Sequence, residues 1–378
     1  AVALAAGAAF GGLIGSTDHS AAGIVTAASQ TALSSSQIAS RVDPALVDVT
    51  STDGYQGATS MGTGIVLSAT GEILTNNHVV NGATSIKVTD IGNGKTYTAS
   101  VVGYDASHDV AVIQLQGASG LTTASLGNSS TVQTGNSVTA LGNAEGKGGT
   151  PSVAPGTVTA LNQSITASDE LSNVSEQLTG LIETNAPIQP GDSGGSLVNS
   201  YGQVIGMDTA AGSSDQPQSQ SSTATATQAY AIPINEAVSI AQQIESGTTT
   251  ADVHIGATAF LGVEIGSSST GSSGSNGFGG SNGFGGFGGF GGQGNQGSQG
   301  STSGVSVAGT VSGSPAANAG LTQGDTITAI GGQSVNSAED VAHSLVKYHP
   351  GNSISVTWVD ASGQSQTANL TLTTGPAA

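Results

Sequence analysis

The chain has 378 residues, 36% of them hydrophobic, with 59 Gly, and sets five Lys plus Arg against 24 Asp plus Glu for a formal charge of -19. Such a charge repels nucleic acid and anionic membrane surfaces and argues against both as partners. The absence of Cys excludes disulfides, thiolate metal sites and a cysteine nucleophile, and no apolar run reaches membrane-spanning length, so two or three soluble units and a flexible remainder are expected.

Ala1 to Gly15 is uncharged, rich in Ala and Gly, and starts without Met. It reads as the trailing part of an export signal or membrane anchor that lies upstream, since a complete signal would open on a basic stretch. Residues 16–40, dominated by Ser, Thr and Ala, read as a tether, so that residues 1–44 form one flexible segment. From 45 to 115, Gly64 to Leu67, Ser85 to Val88 and Tyr97 to Val102 cluster β-formers between Gly and Asn turns, the pattern of a small antiparallel barrel. A second set predicts a second barrel: Ser137 to Leu141, Gly156 to Leu161, and a hairpin from Ser196 to Met207 that turns near Ser200-Tyr201-Gly202.

Ala211 to Gln228 lacks an apolar period and is expected as a mobile surface loop. Ile234, Ala237, Val238, Ala241 and Ile244 then recur at helical spacing, with Asn235 as the cap, so this helix closes the unit 45–247. After a linker at 248–258, a last unit spans 259–378. Ser337 caps a helix that carries Val341 and Leu345, and the final hairpin centres on Asp360 to Gly363. Inside it, residues 266–303 repeat Ser-Asn-Gly-Phe-Gly-Gly and hold Phe278, Phe284, Phe287 and Phe290. Glycine at that density loses too much backbone entropy for a packed core, so this insertion is expected to be disordered, a spacer or a set of weak aromatic contacts.

Three residues carry the chemistry. His78 in Thr75 to Val80, Asp109 at the head of Asp109 to Leu115, and Ser193 in Gly191-Asp192-Ser193-Gly194-Gly195 supply a base, an orienting acid and a nucleophile in the order His, Asp, Ser. Chymotrypsin-like proteases use that order, whereas subtilisins and α/β-hydrolases present the three groups in others. A serine hydroxyl is a weak nucleophile at neutral pH, so an imidazole must take its proton and later hand it to the leaving amine. The buried carboxylate fixes the tautomer and tolerates the imidazolium. The glycines let backbone N–H groups, here those of Gly191 and Ser193, face the developing oxyanion, each worth about 3 kcal/mol. Asp105 and Asp192 are rival acids: Asp192 adjoins the nucleophile and is badly placed to reach the far ring nitrogen, and Asp105 precedes the apolar strand by four residues. His108 is a rival base that projects to the opposite side from Asp109 and reads as a surface residue.

The series Gly62 to Val66, Leu74 to Val80, Asp109 to Val112, Ala186 to Gly195 and Tyr230 to Ile234 resembles the HtrA (DegP) trypsin-like serine proteases, in particular exported bacterial members with one PDZ domain. The resemblance implies a mainly β fold in which a two-barrel chymotrypsin-like protease domain precedes a PDZ domain carrying the Gly-rich insertion, with the site in the crevice between the barrels. Asp192 stands where the family more often has Asn, and Asn185 where it commonly has Asp. Pro187, six residues before the nucleophile, replaces the acid that cleavage after Lys or Arg requires. By resemblance Ile188, Tyr230, Ala231 and Ile232 line a neutral, apolar pocket for small or medium aliphatic residues, and extended substrate pairs with the strand near Tyr230. Phe260-Leu261-Gly262-Val263 would bind a terminal carboxylate while a peptide adds to the sheet.

The expected function is therefore a serine endopeptidase outside the cytoplasm, secreted, in the cell envelope or anchored facing outward. It acts on unfolded or exposed segments, with the PDZ unit recruiting C-terminal tails or regulating activity. A peptide-binding holdase with a latent protease unit is the alternative, and a pure PDZ adaptor a weaker third. The six scattered His form no metal cluster and no phosphate-binding loop is present, so no metal or cofactor is implied. The family is often trimeric through N-terminal aromatic contacts, yet Tyr55 is the lone aromatic of residues 40–60, and a homotrimer stays open.

Overall fold

The structure, a computed structural model, describes residues 31–55, 57–168, 175–209, 228–250, 252–265 and 303–376. The segments 1–30, 210–227 and 266–302, on which the expected leader, surface loop and Phe-containing insertion fall, lie outside the described residues.

Residues expected to belong to a tether open the fold instead. Ser34 and Gln37 form a reciprocal capping box, and α1 (Ser35–Val42) follows, burying Ile38 and Val42 in the core beside the second barrel. The correction has a simple cause: two apolar residues four apart and one good cap suffice when a neighbouring sheet supplies the packing surface.

Six strands make the first barrel: β1 (Leu46–Asp53), β2 (Ala58–Val66), β3 (Glu72–Thr75), β4 (Ser85–Asp90), β5 (Thr96–Asp105) and β6 (Val110–Leu115). They run in the order β5-β4-β1-β2-β3-β6, and pairing of β5 with β6 closes the ring. A short helix, α2 (Asn77–Val80), leaves the end of β3. The second barrel joins β7 (Ser137–Gly142), β8 (Ser152–Ser168), β9 (Ser175–Thr184), β10 (Ser196–Asn199), β11 (Val204–Thr209) and β12 (Ala229–Pro233) in the closed order β10-β11-β12-β9-β8-β7. The β10–β11 hairpin turns where expected, with Gly202 at φ 71°.

A third helix, α3 (Ile234–Glu245), follows β12 without a break and packs on β5 and β6 of one barrel and β11 and β12 of the other. Asn235 is not its cap. Pro233 holds the N-cap position at φ -55°, and the Asn235 side chain turns away to accept from Ser129 N–H and donate to Asn128 Oδ1 at 2.8 Å. The stripe Ile234, Ala237, Ala241 and Ile244 is buried as its spacing predicted.

β13 (Val253–Ile255) pairs with β5, so the segment expected as a linker is an added strand of the first barrel. The last unit holds β14 (Ala259–Phe260), β15 (Val263–Ile265), β16 (Val305–Thr310), α4 (Pro315–Asn318), β17 (Thr326–Ile330), β18 (Gln333–Ser334), α5 (Ala338–Val346), β19 (Ser353–Val359), β20 (Ser365–Thr371) and β21 (Thr373–Thr374). Its main sheet runs β15-β16-β17-β19-β20 over a core containing Leu261, Ile327, Val341 and Trp358. Ser337 caps α5 in a capping box with Asp340, and Asp360 Oδ1 accepts from Ser362 and Gln364 N–H to shape the final turn. Phe260 stacks on Tyr55 with ring centroids 5.3 Å apart, and His254 Nδ1 lies 2.5 Å from Val346 O, so this unit leans on the first barrel.

Candidate active site

The end of β3 delivers His78 on the first turn of α2, and the start of β6 delivers Asp109. The β5–β6 turn makes that possible: Asp109 adopts φ 53°, a left-handed conformation that Asp tolerates better than most residues, and Asn76 Nδ2 donates to its carbonyl at 3.0 Å. The carboxylate, 2% exposed, then faces the histidine. His78 Nδ1 lies 3.0 and 2.9 Å from Oδ1 and Oδ2, the His78 backbone N–H donates to Oδ1 at 3.0 Å, and Thr209 Oγ1 donates to Oδ2 at 3.3 Å. A carboxylate accepts only, so the network assigns the proton to Nδ1 and leaves Nε2 as the basic nitrogen. The ring is about one-third exposed, which leaves it open to a bound substrate.

Ser193 reaches the same place from the second barrel. Its carbonyl accepts from Thr63 N–H on β2 at 2.8 Å, and Thr63 Oγ1 donates to Gly191 O and accepts from Asn143 N–H, each at 2.8 Å. Gly62 records the convergence: a Cβ there would lie 2.7 Å from the Val79 methyls, next to His78, and 3.1 Å from Ser193 O. Gly194, at φ 80°, is equally confined, since a Cβ would come within 2.1 Å of Thr63 O. Within the turn, Asp192 N–H donates to Gln189 O, Gly194 N–H to Asp208 O and Gly195 N–H to Asp192 O. These bonds of Asp192, Gly194 and Gly195 fix the shape of the turn that carries the two predicted oxyanion donors, Gly191 and Ser193.

The rivals fall elsewhere. Asp192, 1% exposed, accepts from Gln189 N–H and Ser152 Oγ–H, and burial pushes its carboxyl above the usual range against those two bonds. Asp105 ends β5 and accepts from Ser107 Oγ–H and His108 N–H, while His108 Nδ1 sits 2.8 Å from its Oδ2 on the surface. Thr63, Asn76 and Thr209 escaped the sequence reading. Each works through a bond to a residue at least 30 positions away, and no local pattern marks such a partner.

The four predicted pocket residues do not share one wall. Strand alternation puts Ala231 inside the second barrel with Ala186 and half-buried Ile188, whereas Tyr230 and Ile232 face the cluster that includes α3. Tyr230, Ala231 and Ile232 are all buried; burial, then Glu183, raises the Tyr230 phenol. Strand pairing of substrate at Tyr230 is corrected, since β12 bonds to β9 on one edge and β11 on the other.

In the last unit, Leu261 is buried, and Gly262 at φ 78° could carry no side chain, for a Cβ would sit 2.1 Å from Ser314 Cβ. Val263 begins β15, which pairs on one side with β16 and has no second partner among the described residues. Phe260 is turned to Tyr55. Among the described residues no group of three or more His, Asp and Glu could hold a metal ion, and no helix is long and apolar enough to cross a membrane.

Residues 62–207 match the trypsin-like peptidase domain family and residues 280–372 the PDZ domain family. The serine protease PepD of Mycobacterium tuberculosis is 32% identical over 93% of this chain and 69% of its own length. The serine protease Do-like HtrA of Lactococcus lactis is 30% identical over 85% of this chain and 72% of its own length. For the Do-like HtrA of Lactobacillus helveticus the identity is 33%, over 79% of this chain and 65% of that protein. A solved structure of the HtrA-type protease AlgW with tripeptide covers 91% of this chain and 97% of its own at 29% identity and TM-score 0.47.

Proposed function

The chain belongs to the HtrA/Do family of serine proteases, and on that premise we propose that it cleaves peptide bonds with Ser193 as nucleophile, His78 as general base and Asp109 as orienting acid. The observation that carries the reading is the Asp109 carboxylate held against both the ring and the backbone N–H of His78. With the proton on Nδ1, Nε2 takes the Ser193 hydroxyl proton as oxygen attacks the carbonyl carbon, and returns it to the leaving amine. Negative charge on the carbonyl oxygen is met by the N–H groups of Gly191 and Ser193, worth about 3 kcal/mol each. Water then repeats the sequence on the acyl-enzyme.

Protease unit 45–247 and PDZ unit 259–378 divide the work in this reading, with α1 counted as part of the first and 266–303 as an insertion in the second. Ile188 and Ala231 favour small or medium aliphatic residues before the scissile bond. Phe260 to Val263 present backbone N–H groups to a C-terminal carboxylate, and the unshared edge of β15 takes the peptide as a further strand. Substrates are unfolded or exposed segments, and the site of action is extracytoplasmic; one curated relative from Haemophilus influenzae is named a probable periplasmic protease. Casein turnover tests the reading: wild type digests it and Ser193→Ala does not. Equal protection of an unfolded client by both proteins, without digestion by either, would turn the assignment to a holdase.

A further inference from the structure

Asp208 lies on β11, one residue before Thr209, and is completely buried. Neither of its carboxyl oxygens has a hydrogen-bond partner among the described residues. Its main chain is nonetheless tied to the nucleophile turn on both sides: Gly194 N–H donates to Asp208 O, and Asp208 N–H donates to Gly195 O, each at 2.9 Å. The same turn carries Asp192, whose carboxylate holds the donors Gln189 N–H and Ser152 Oγ–H at 2.9 and 3.0 Å. Two buried carboxyls thus sit behind Ser193, and only one is furnished to bear a charge.

An unpartnered carboxylate in a water-free interior is far more costly than the neutral acid, and a second negative charge nearby adds to the cost. Burial first, and the Asp192 charge second, raise the Asp208 carboxyl well above the ordinary value. Among titratable groups on elements packed against β11, Tyr230 on β12 and Glu236 and Glu245 on α3 are not what acts on it; Asp192 is. Asp109 and His78 lie beyond the Thr209 hydroxyl, where their charges oppose each other once the ring is protonated.

We propose that Asp208 is a positioning residue that works as the neutral acid: its proton lets the pair Asp192 and Asp208 carry a single charge beneath the nucleophile turn. Loss of that proton at alkaline pH places two like charges in a sealed space. The backbone bonds to Gly194 and Gly195 transmit the repulsion to the turn, and the oxyanion donors lose their aim. Activity then falls on an alkaline limb that belongs to the pair and not to the triad. The sign follows from linkage: a carboxyl raised in the folded state contributes stability at low pH that is lost as pH climbs from the unfolded value toward the folded one.

Three measurements test this, and the activity arm alone rests on Ser193 as nucleophile. Melting of Ser193→Ala, which cannot digest itself, is followed from about pH 5 to about pH 10 beside Ser193→Ala/Asp208→Asn; the midpoint of the first falls with pH and that of the second is flatter. Infrared spectra of Ser193→Ala near pH 8 contain a protonated carboxyl band, which Asp208→Asn removes. For active protein, the ratio of kcat/KM at about pH 9.5 to that at about pH 7.5 rises at least about threefold in Asp208→Asn, and Asp192→Asn, which removes the like charge, moves the limb to lower pH. Parallel melting curves, absence of the band, or superimposable pH profiles would overturn the proposal. Should Asp208→Asn fail to fold, the band in Ser193→Ala and the shift in Asp192→Asn decide it.

Discussion

On the first barrel the Asp109 carboxylate meets three donors, two from His78 and one from Thr209. On the second barrel Ser193 stands on a glycine turn backed by two buried carboxyls, one of which has no partner among the described residues. The first arrangement supplies the carboxylate with donors on both oxygens. The second depends on glycine conformations and on a proton whose loss has no local compensation. The base is held mainly from its own barrel with one bond from Thr209 of the other, whereas the nucleophile turn is tied across the crevice through Thr63.

The severest way to break this comparison is to remove one member from each side. Ser193→Ala is expected to lower kcat by about six orders of magnitude, and Asp109→Asn by about four, because an amide presents the wrong group to Nδ1 and selects the wrong tautomer. Initial rates on a short peptide ester check both. Thr209→Val sharpens the first side: one of three donors to Asp109 is lost, worth about 1.5 kcal/mol, so kcat falls about tenfold with KM little changed. Thr63→Val probes the coupling of the sides. It strips two bonds to the second barrel from a buried position, and the urea midpoint should fall by the equivalent of about 1–3 kcal/mol.

Glu72 on β3 supplies a pH control within the first barrel. Burial, then Glu245, pushes its carboxyl from 4.5 to about 7. Raised in the folded state, it contributes stability that is present below pH 4.5 and lost as pH rises to about 7. Glu72→Gln should therefore gain on wild type in melting temperature between those values, by a small amount because the group is partly exposed, and run parallel to it above them. Divergence continuing above pH 7 would contradict the assignment.

Much of the site was legible in the sequence because its chemistry is written in contiguous runs. The turn Gly191 to Gly195 needs adjacent glycines, and Asp109 needs a strand start, so each leaves a local mark. The closed barrels were legible as β-rich clusters, and α3 through its apolar period. What escaped depends on distance or on the face of a strand. Thr63 and Thr209 are ordinary strand threonines until the nucleophile turn and Asp109 fold onto them. Tyr230 and Ile232 share a segment with Ala231, yet pleating sends them to the other side. Asn235 looked like a cap because Pro233 can take that position with no side-chain bond, and α1 hid in a Ser-rich stretch because its stabilisation comes from the barrel it covers.

The most direct test of the central claim is labelling with a serine-reactive phosphonate followed by peptide mapping. One adduct per chain is expected, on the peptide containing Ser193, and it should be lost in Ser193→Ala and strongly slowed in His78→Ala. An adduct at another serine, or unchanged labelling without the imidazole, would contradict it.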